Sequence, residues 1–370
     1  MRFLSSPAFV VAAVWFSAHF GGGFSSGRQI VEFYVRYGHY SLFMPFIAMA
    51  LLSWAFYYAF SIAVSHRAFD YRSWALKLYQ PFEAVGSVVY EVMYLTILFL
   101  ATAVAFATGG SVLQANLGMD YHLATAVVAA FIFVVTVLGA ESVRRFSVAI
   151  ATVGVAMLIG IYLLVIAKNL SSLQRALEIS RSSPGADLTS ALWQAVLYAA
   201  FQSVAVGSYI SIADVLRTKE DCLKAALWGF VLNSATLWAS AAGIFAFYPE
   251  VVKETVPALL VMRSGLGEAA RWIISFLIFI GVVSTGVPLV YGGVKRILKI
   301  FGRSGSGSDP VNVAATAFFT LSTWAVALMG LIPLIARGYR GMGYAALPLL
   351  LIALIAKGLS SSGSWWNERG

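Results

Sequence analysis

The sequence predicts an all-α polytopic membrane protein with ten transmembrane helices, arranged as a five-plus-five inverted repeat. Hydrophobic residues make up 60% of the 370 positions and charged residues 11%, with a mean hydropathy of +0.83. A soluble domain of this length needs far more charged surface. Ten apolar segments are long enough to cross a bilayer. The first and the sixth of them are interrupted near their centres by small and polar residues.

Each apolar segment is expected to be a helix, because lipid offers no partner to an unpaired backbone N–H or C=O group. In chain order the segments are 6–37, 40–65, 80–108, 121–141, 146–167, 188–216, 224–248, 268–298, 311–335 and 342–358. The apolar N-terminus is interpreted as the first span and not as a signal peptide, since no clear small-x-small cleavage pattern occurs and many spans follow.

The distribution of Lys and Arg predicts the orientation. If successive loops alternate across the membrane, one side receives 15 of the 25 basic residues. These are Arg2, Arg67, Arg72, Lys77, Arg144, Arg145, Arg217, Lys219, Lys224, Lys295, Arg296, Lys299, Arg303, Lys357 and Arg369. The positive-inside rule makes this side cytoplasmic, with both termini on it, and the expected location is the cell (inner or plasma) membrane. The net charge of +9 then belongs to loops and does not indicate nucleic-acid binding.

Two inverted units account for the ten segments. Because five is odd, a second unit of five segments enters the membrane from the opposite side. The chain then divides into a first repeat over 1–168, an external connector over 169–187 and a second repeat over 188–370. In the second repeat, 249–265 is too polar to span and is expected to form an external amphipathic helix or a re-entrant lid. The stretch 301–310 has the composition of a flexible cytoplasmic linker.

The first interruption reads GGGFSSG over 21–27. Unwinding there leaves the N–H groups from Gly22 to Ser25 for an anionic group, and the carbonyls from Ser17 to Phe20 for a cation. The alternative is helix packing, since small residues let helices approach closely in lipid. The sixth segment has its own polar centre, formed by Gln202, Ser203, Gly207 and Ser208. Paired interruptions in two halves of a membrane protein point to a transporter binding site.

The first segment resembles the first helix of the YkvI-type membrane proteins. The resemblance covers about 20 residues and rests on Gly21, Gly23, Phe24, Ser26, Gly27, Phe33 and Gly38. It implies membership of the amino acid–polyamine–organocation superfamily, whose core is the ten-helix inverted repeat of the LeuT fold. Gly22, Ser25 and the pair Arg28–Gln29 depart from the usual pattern, in which Gln–Glu is common at the last position. Glu32 is then the next acidic candidate beyond the interruption.

The resemblance also implies a sodium site between the first and eighth segments. Its ligands would be the carbonyls of Ser17, Phe20 and Gly281 (or Val282) and the hydroxyls of Ser284 and Thr285. The alternative is that Ser and Thr hydroxyls bond back to carbonyls of their own helix. Some proton-driven relatives place a lysine of the fifth helix there, and this fifth segment has no lysine at its centre. That difference favours sodium over protons.

Intramembrane ionisable groups are further candidates. Glu91 lies near the centre of the third segment, where it would carry a proton, pair with a cationic substrate or lock the helix to a neighbour. His19 precedes the first interruption and would contact substrate, relay protons or bond an exposed carbonyl. The resemblance gives helix-three aromatics a pocket-lining role. The full predicted substrate set is Gly21, Gly22, Gly23, Phe24, Ser25, His19, Tyr90, Glu91, Tyr94, Phe201, Gln202 and Ser203.

These features predict a secondary transporter, a sodium-coupled symporter of a small amino-acid-like or related organic solute. A proton-coupled transporter, a ligand-sensing subunit like that of germinant receptors and a small-cation channel are the alternatives. The sequence contains neither the HExxH motif nor the Walker A motif, and we expect no enzyme activity and no organic cofactor. The expected partners are the solute, the coupling ion and the lipid bilayer, without nucleic acid, for a monomer or homodimer.

Overall fold

The computed structural model describes residues 6–183, 187–303 and 308–361, without the side chains of 139–152, 155, 300 and 361. Within these ranges the chain is all helix and connecting turn. The first half contains α1 (Pro7–His19), α2 (Gly22–Ser25), α3 (Arg28–Phe33), α4 (Met44–Ser65), α5 (Tyr71–Leu78), α6 (Glu83–Leu117), α7 (Tyr121–Lys168) and α8 (Leu170–Arg181). A 3₁₀ segment, Val35–Leu42, joins α3 to α4.

The second half begins at Leu188. It contains α9 (Leu188–Ser203), α10 (Val206–Ile210), α11 (Lys219–Phe245), α12 (Pro257–Leu266), α13 (Glu268–Ile300), α14 (Pro310–Ala327), α15 (Leu331–Pro333), α16 (Arg340–Ala346) and α17 (Ile352–Ser361). Seven described helices are long and apolar enough to cross a membrane. An eighth span results if 156–168 is joined with α8, although the two are bent by 81°.

The bundle has two distinct ends. We call basic end the one at which α5 lies, α11 begins and α13 ends, and lid end the one that carries α8, the 3₁₀ segment Glu250–Lys253 and α12. Both described termini lie at the basic end, because the ring of Phe9 contacts Trp228 and the Lys357 amine donates to the Gln80 carbonyl. The chain therefore crosses the bundle an even number of times.

The predicted fourth and fifth segments, 121–141 and 146–167, lie within one helical stretch, α7. Near its start, Thr125 packs on Gly110 close to the lid end of α6. Near its other end, Val165 packs beside Gly265, which also lies at the lid end. Both described arms of α7, before residue 139 and after residue 152, therefore contact the rest of the bundle at its lid end.

The boundary between the predicted ninth and tenth segments is wrong. The sequence places a loop after 335, around two arginines, whereas α14 ends at Ala327 and the last helical stretch begins at Leu331. Gly330 ends the connection with φ +91°, a conformation that favours glycine. The stretch 334–339 is a π-helical turn within this last stretch.

Small residues bring the helices together. An added Cβ at Gly229 of α11 would collide with the indole ring of Trp15, a fully buried side chain of α1. A Cβ at Gly243 would come 2.6 Å from the ring of Tyr162 on α7. In lipid the hydrophobic effect contributes little to helix association, so close van der Waals contacts of this kind hold the helices together.

We predict that Gly229→Ala lowers the melting temperature of the protein in detergent. The methyl group meets Trp15 in a close-packed interface, and overpacking of this kind costs about 1–3 kcal/mol. Gly341→Ala is the matched control, because no atom lies within 4 Å of a Cβ built there. Equal melting temperatures for the two variants would contradict the packing described for α1 and α11.

Candidate functional site

The first interruption lies between α1 and α3. Helix α1 ends at His19 because Phe20 (φ −78°, ψ 61°) and Gly21 (φ −88°, ψ 174°) leave helical geometry. After the single turn α2, Gly27 adopts φ +78° and starts α3 in a new direction. A side chain at Gly27 would be strained by this φ and would also meet the side chain of Ile244.

The glycines of this interruption also serve packing. A Cβ at Gly22 would lie 3.2 Å from Thr108 and Val282, and one at Gly23 would lie 3.1 Å from Val104. The helix-packing interpretation therefore accounts for part of the glycine density, because α2 is pressed against α6 and α13. Glycine thus allows both the change of direction and the close approach.

The backbone groups released here are only partly free. The Ser25 N–H donates to the Gly21 carbonyl at 2.9 Å, so Ser25 does not offer the N–H group predicted for an anionic ligand. The Gly21 N–H donates to the His19 carbonyl at 2.9 Å. Among the described residues no backbone acceptor is bonded to the N–H groups of Gly22 and Gly23.

The second interruption lies between α9 and α10 and is held by Tyr90 of α6. The Tyr90 hydroxyl donates to the Val204 carbonyl at 3.0 Å and accepts the Gly207 N–H at 2.8 Å. The side chain is fully buried and does not line a cavity. The predicted contact of Tyr90 with substrate is therefore replaced by a structural role, in which its hydroxyl satisfies two backbone groups that lipid would leave unpaired.

The two interruptions and helix α13 enclose a cavity of about 320 Å³. Ten predicted site residues line it: Ser17, His19, Gly21, Gly22, Gly23, Tyr94, Phe201, Gln202, Ser284 and Thr285. The sequence analysis missed four further polar or aromatic lining residues: Gln29, Ser208, Tyr209 and Tyr339. Ser208 belongs to the second interruption predicted from the sequence but was not among the predicted site residues. Its hydroxyl lies 2.9 Å from that of Tyr94.

Several predicted residues lie outside this cavity. The ring of Phe24 packs against Phe20 with centroids 6.1 Å apart, and both residues are buried. The Ser25 hydroxyl donates to the Gly22 carbonyl at 3.2 Å, and the Ser203 hydroxyl donates to the Ala200 carbonyl at 2.7 Å. These side chains are committed to the folding of the interrupted helices.

Glu91 pairs with an arginine. The Arg296 guanidinium of α13 donates two hydrogen bonds to the Glu91 carboxylate, and the Tyr71 hydroxyl donates to the same carboxylate at 2.8 Å. The Glu91 and Arg296 side chains are 20% and 14% exposed. Glu91 does not line the cavity. Arg296 neutralises the carboxylate and ties α6 to α13, as the helix-locking alternative requires. A contact of Glu91 with substrate stays a prediction.

The predicted sodium ligands are brought close together but are not free. The hydroxyls of Ser284 and Thr285 both donate to the Gly281 carbonyl, the former at 3.3 Å, as in the back-bonding alternative. Thr285 faces the first interruption, since a Cβ at Gly21 would be 4.0 Å from its Oγ1. Ser17 lines the same cavity, whereas Phe20 and Gly281 do not. Gly281 takes up the hydroxyl hydrogens, while the lone pairs of both hydroxyl oxygens stay available. Hydroxyl and carbonyl oxygens suit a hard cation.

His19 bonds to side chains of two other helices and not to an exposed carbonyl. Its Nδ1 lies 2.6 Å from Asn233 Oδ1 on α11, and its Nε2 lies 2.5 Å from the Tyr198 hydroxyl on α9. The Gln29 amide also donates to that hydroxyl, at 2.8 Å. Two sequence features could have identified these partners of His19. Asn233 is a polar residue within a predicted apolar segment, and Tyr198 lies one turn before the second interruption.

The cavity opens toward the basic end. All residues from 22 to 35 are buried, whereas Ala18 and Ser208, which line the cavity on its basic side, are exposed. At the lid end the Arg28 guanidinium donates to the carbonyls of Val252 and Glu254 at 2.9 and 2.7 Å. The lid end is therefore closed above the cavity.

Glu32 anchors the closed lid end. It is fully buried and pairs with Arg28 on the same helix and with Arg36 at 2.9 Å. Arg340 of the last helical stretch approaches it to 3.6 Å. The acidic role considered for Glu32 beyond the interruption is therefore that of a counter-ion to three arginines.

The chain has a fold similar to that of solved membrane transporters. The chain superimposes on the manganese transporter of Eremococcus coleocola, in complex with an aromatic bis-isothiourea substituted compound, with a TM-score of 0.54, 13% identity and coverage of 94% of this chain and 85% of that one. It superimposes on a Na⁺-coupled sialic acid symporter, in a substrate-bound outward-open state, with a TM-score of 0.52, 12% identity and coverage of 96% and 88%.

The sequence matches no protein-family model and no curated protein. At identities this low the structural likeness carries the fold alone, an all-helical, LeuT-like multi-pass membrane protein. It does not distinguish YkvI-type proteins, or the amino acid–polyamine–organocation superfamily, from other groups that share this fold. The expected class of membrane transporter is supported, and the substrate and coupling ion stay predictions.

We predict that Tyr90→Phe destabilises the protein by about 1–3 kcal/mol, since it leaves two buried backbone groups without their partner. Thermal unfolding in detergent measures the change. The matched control is Tyr162→Phe, because the Tyr162 hydroxyl is buried without a partner among the described residues and its loss is expected to be neutral or stabilising. A Tyr90→Phe variant as stable as this control would contradict the role assigned to the Tyr90 hydroxyl.

A second prediction concerns the ion pair between Glu91 and Arg296. Glu91→Gln or Arg296→Met alone leaves a partly buried charge unpaired and should lower stability by about 2 kcal/mol or more. The double variant removes both charges and should recover stability and activity relative to either single variant. If Glu91 contacts the substrate instead, activity stays lost in the double variant even where its melting temperature recovers.

Proposed function

We propose that this protein is a secondary active transporter that moves a small amino-acid-like or related organic solute by alternating access, coupled to sodium. The observation that carries the proposal is the cavity of about 320 Å³ between the two interrupted helices, closed toward the lid end and open toward the basic end. A cavity of this size suits a small solute. The two transporter neighbours support the class of activity.

The lining of the cavity supports an organic solute. Phe201 stacks on Tyr339 with centroids 4.8 Å apart, and this pair separates the cavity from the closed lid end. Gln29, Gln202 and Ser208 supply neutral hydrogen-bonding groups. The carboxylate of an amino-acid-like solute would meet the unpaired N–H groups of Gly22 and Gly23, while its side chain would lie among the aromatic rings.

The site does not favour a transition-metal cargo of the kind that one neighbour carries. Among the described residues, those lining the cavity include no Asp, Glu, Cys or Met. Soft or anionic side chains of these types are what such ions prefer, together with imidazole. In the described part of the chain, His19 is the only histidine that lines the cavity. Both of its ring nitrogens are hydrogen-bonded.

Alternating access requires the contacts of the lid end to separate. In the proposed cycle, segments one, two, six and seven rock against segments three, four, eight and nine. The opening step breaks the bonds from Arg28 to the Val252 and Glu254 carbonyls and the bond from the Ala258 N–H to the Ser26 carbonyl, at 3.0 Å. The closing step buries Ala18 and Ser208, which are exposed in this structure. The basic end is the cytoplasmic side in this proposal.

Sodium is the proposed coupling ion because Ser284, Thr285 and Ser17 lie around one side of the cavity, next to the first interruption. The lone pairs of their hydroxyl and carbonyl oxygens would hold the ion. The bound ion would supply positive charge beside the carboxylate of the solute. A proton-coupled cycle is the alternative within the same class.

Uptake into liposomes tests this function. We expect the purified protein to accumulate one or more solutes from a panel of amino acids, amines and nucleobases in sodium salts, and not in potassium or choline salts at fixed pH. Thr285→Ala should reduce the sodium dependence at least about ten-fold, since one ligand is lost from a small site. Thr96→Ala is the control, because its exposed hydroxyl also bonds back to its own helix, at 2.8 Å from the Val92 carbonyl.

Equal uptake in the three salts would rule out sodium coupling. An unchanged sodium response in Thr285→Ala would rule out the assigned ion site. A protein that binds a solute of the panel but never accumulates it would be a sensor and not a transporter.

A further inference from the structure

A continuous chain of hydrogen bonds connects the backbone of α11 with the wall of the cavity. It begins at Gly229, whose carbonyl accepts the Asn233 side-chain amide at 2.7 Å. A carbonyl oxygen can only accept a hydrogen bond. The Asn233 nitrogen must therefore face Gly229, and its oxygen must face His19, at 2.6 Å from Nδ1.

This anchor determines the tautomer of His19. Because Asn233 Oδ1 can only accept, His19 Nδ1 carries the hydrogen. In a neutral imidazole the other nitrogen is then a bare acceptor. It lies 2.5 Å from the Tyr198 oxygen, so the Tyr198 hydroxyl donates to His19 Nε2.

The same logic continues into the cavity. With its hydrogen committed to His19, the Tyr198 oxygen accepts the Gln29 side-chain amide at 2.8 Å, and more weakly that of Gln202 at 3.4 Å. The Gln29 nitrogen is thereby used, and its Oε1 points toward Gly23, at 3.2 Å from a Cβ built there. No donor among the described residues reaches this oxygen, although Gln29 lines the cavity and is only 3% exposed.

The residues that bond to or pack on His19 and Tyr198 are uncharged, whereas Arg28 and Glu32, on the same helix as Gln29, pair with each other. Tyr198 is the titratable group that bonds to His19, and Tyr34 and Phe33 pack against Tyr198 in turn. The rings of Phe24 and Tyr198 flank the imidazole at 5.3 and 5.8 Å. Among the described residues that line the cavity, none is Asp, Glu, Lys or Arg. A single oriented acceptor in such a neutral site has a large effect on selection, because a solute group that cannot donate leaves it unpaired.

We propose that the Gly229–Asn233–His19–Tyr198 chain orients the Gln29 amide so that its oxygen selects solutes carrying an N–H donor, as an ammonium, amine or amide group. This proposal rests on the proposed transport function and narrows its substrate class. Gln29 is the specificity-determining residue that would touch the solute. His19, Tyr198 and Asn233 are positioning residues, which act through Gln29.

The orientation of the chain can be measured without a ligand. The protein contains four histidines, so selective ¹⁵N-histidine labelling gives a simple spectrum, in which a His19→Gln variant identifies the His19 signals. We expect the Nδ1–H tautomer for His19 at neutral pH in the wild-type protein. The Nε2–H tautomer would reverse the chain, present the Gln29 nitrogen to the cavity and overturn the proposal.

Binding of paired probes tests the selection. Each pair differs in its N–H donor: L-leucine with 4-methylpentanoate, and uracil with 1,3-dimethyluracil. We expect the wild-type protein to prefer a parent compound at least about ten-fold in a thermal-shift or calorimetric titration. Gln29→Met should remove that preference, and Tyr198→Phe should reduce it, because it frees the Gln29 amide to turn over. Gln194→Met is the control, since Gln194 is buried on the same helix as Tyr198 but does not line the cavity.

The outcomes separate this proposal from the transport function. Equal binding within both pairs, no binding of either parent compound, or a preference that survives in Gln29→Met would overturn selection by Gln29. Binding with the expected preference but without accumulation in liposomes would overturn transport and leave the selection intact. A loss of preference in Gln194→Met would show that the effect of Gln29 is one of general stability, and would also overturn its role.

Discussion

The structure depends on one constraint, which is that a lipid-embedded helix cannot stop at mid-membrane without partners for its backbone groups. At the second interruption the Tyr90 hydroxyl supplies two of these partners, the Val204 carbonyl and the Gly207 N–H. At the first, Gly21 bonds back to His19 and receives Ser25. The groups that these contacts leave free lie around the cavity, so the same constraint that stabilises the fold also defines the site.

Charge is kept out of that cavity by pairing. Glu91 is neutralised by Arg296 on its basic side, and Glu32 is surrounded by arginines on its lid side. Both pairs connect elements that are far apart in sequence, α6 with α13 and α3 with the last helical stretch. The cavity between them is lined by neutral groups, where an amide such as that of Gln29 can control binding by its direction alone.

Two differences between the sequence-based expectations and the structure have different physical causes. The stretch around Arg337 and Arg340, where a loop was expected, is helical, and it places Arg340 near Glu32, a long-range partner that no local pattern reveals. Glu91 was assigned to the substrate because an isolated intramembrane carboxylate indicates function. Its partner Arg296 is counted in the sequence among cytoplasmic loop residues, and only the packing of α6 on α13 brings the two side chains together.

The all-helical membrane class, most of the helical segments and the stretch at which the first helix is interrupted can be predicted from the amino-acid order, because they follow from apolar length and from local glycine and serine content. The contacts between polar side chains of different helices depend on how the helices pack. Tyr198 and Asn233 are far from His19 along the chain, and His19 joins them through hydrogen bonds of 2.5 and 2.6 Å, while Gln29 donates to Tyr198. Such contacts depend on the packing of α1, α9 and α11, which local sequence patterns do not encode.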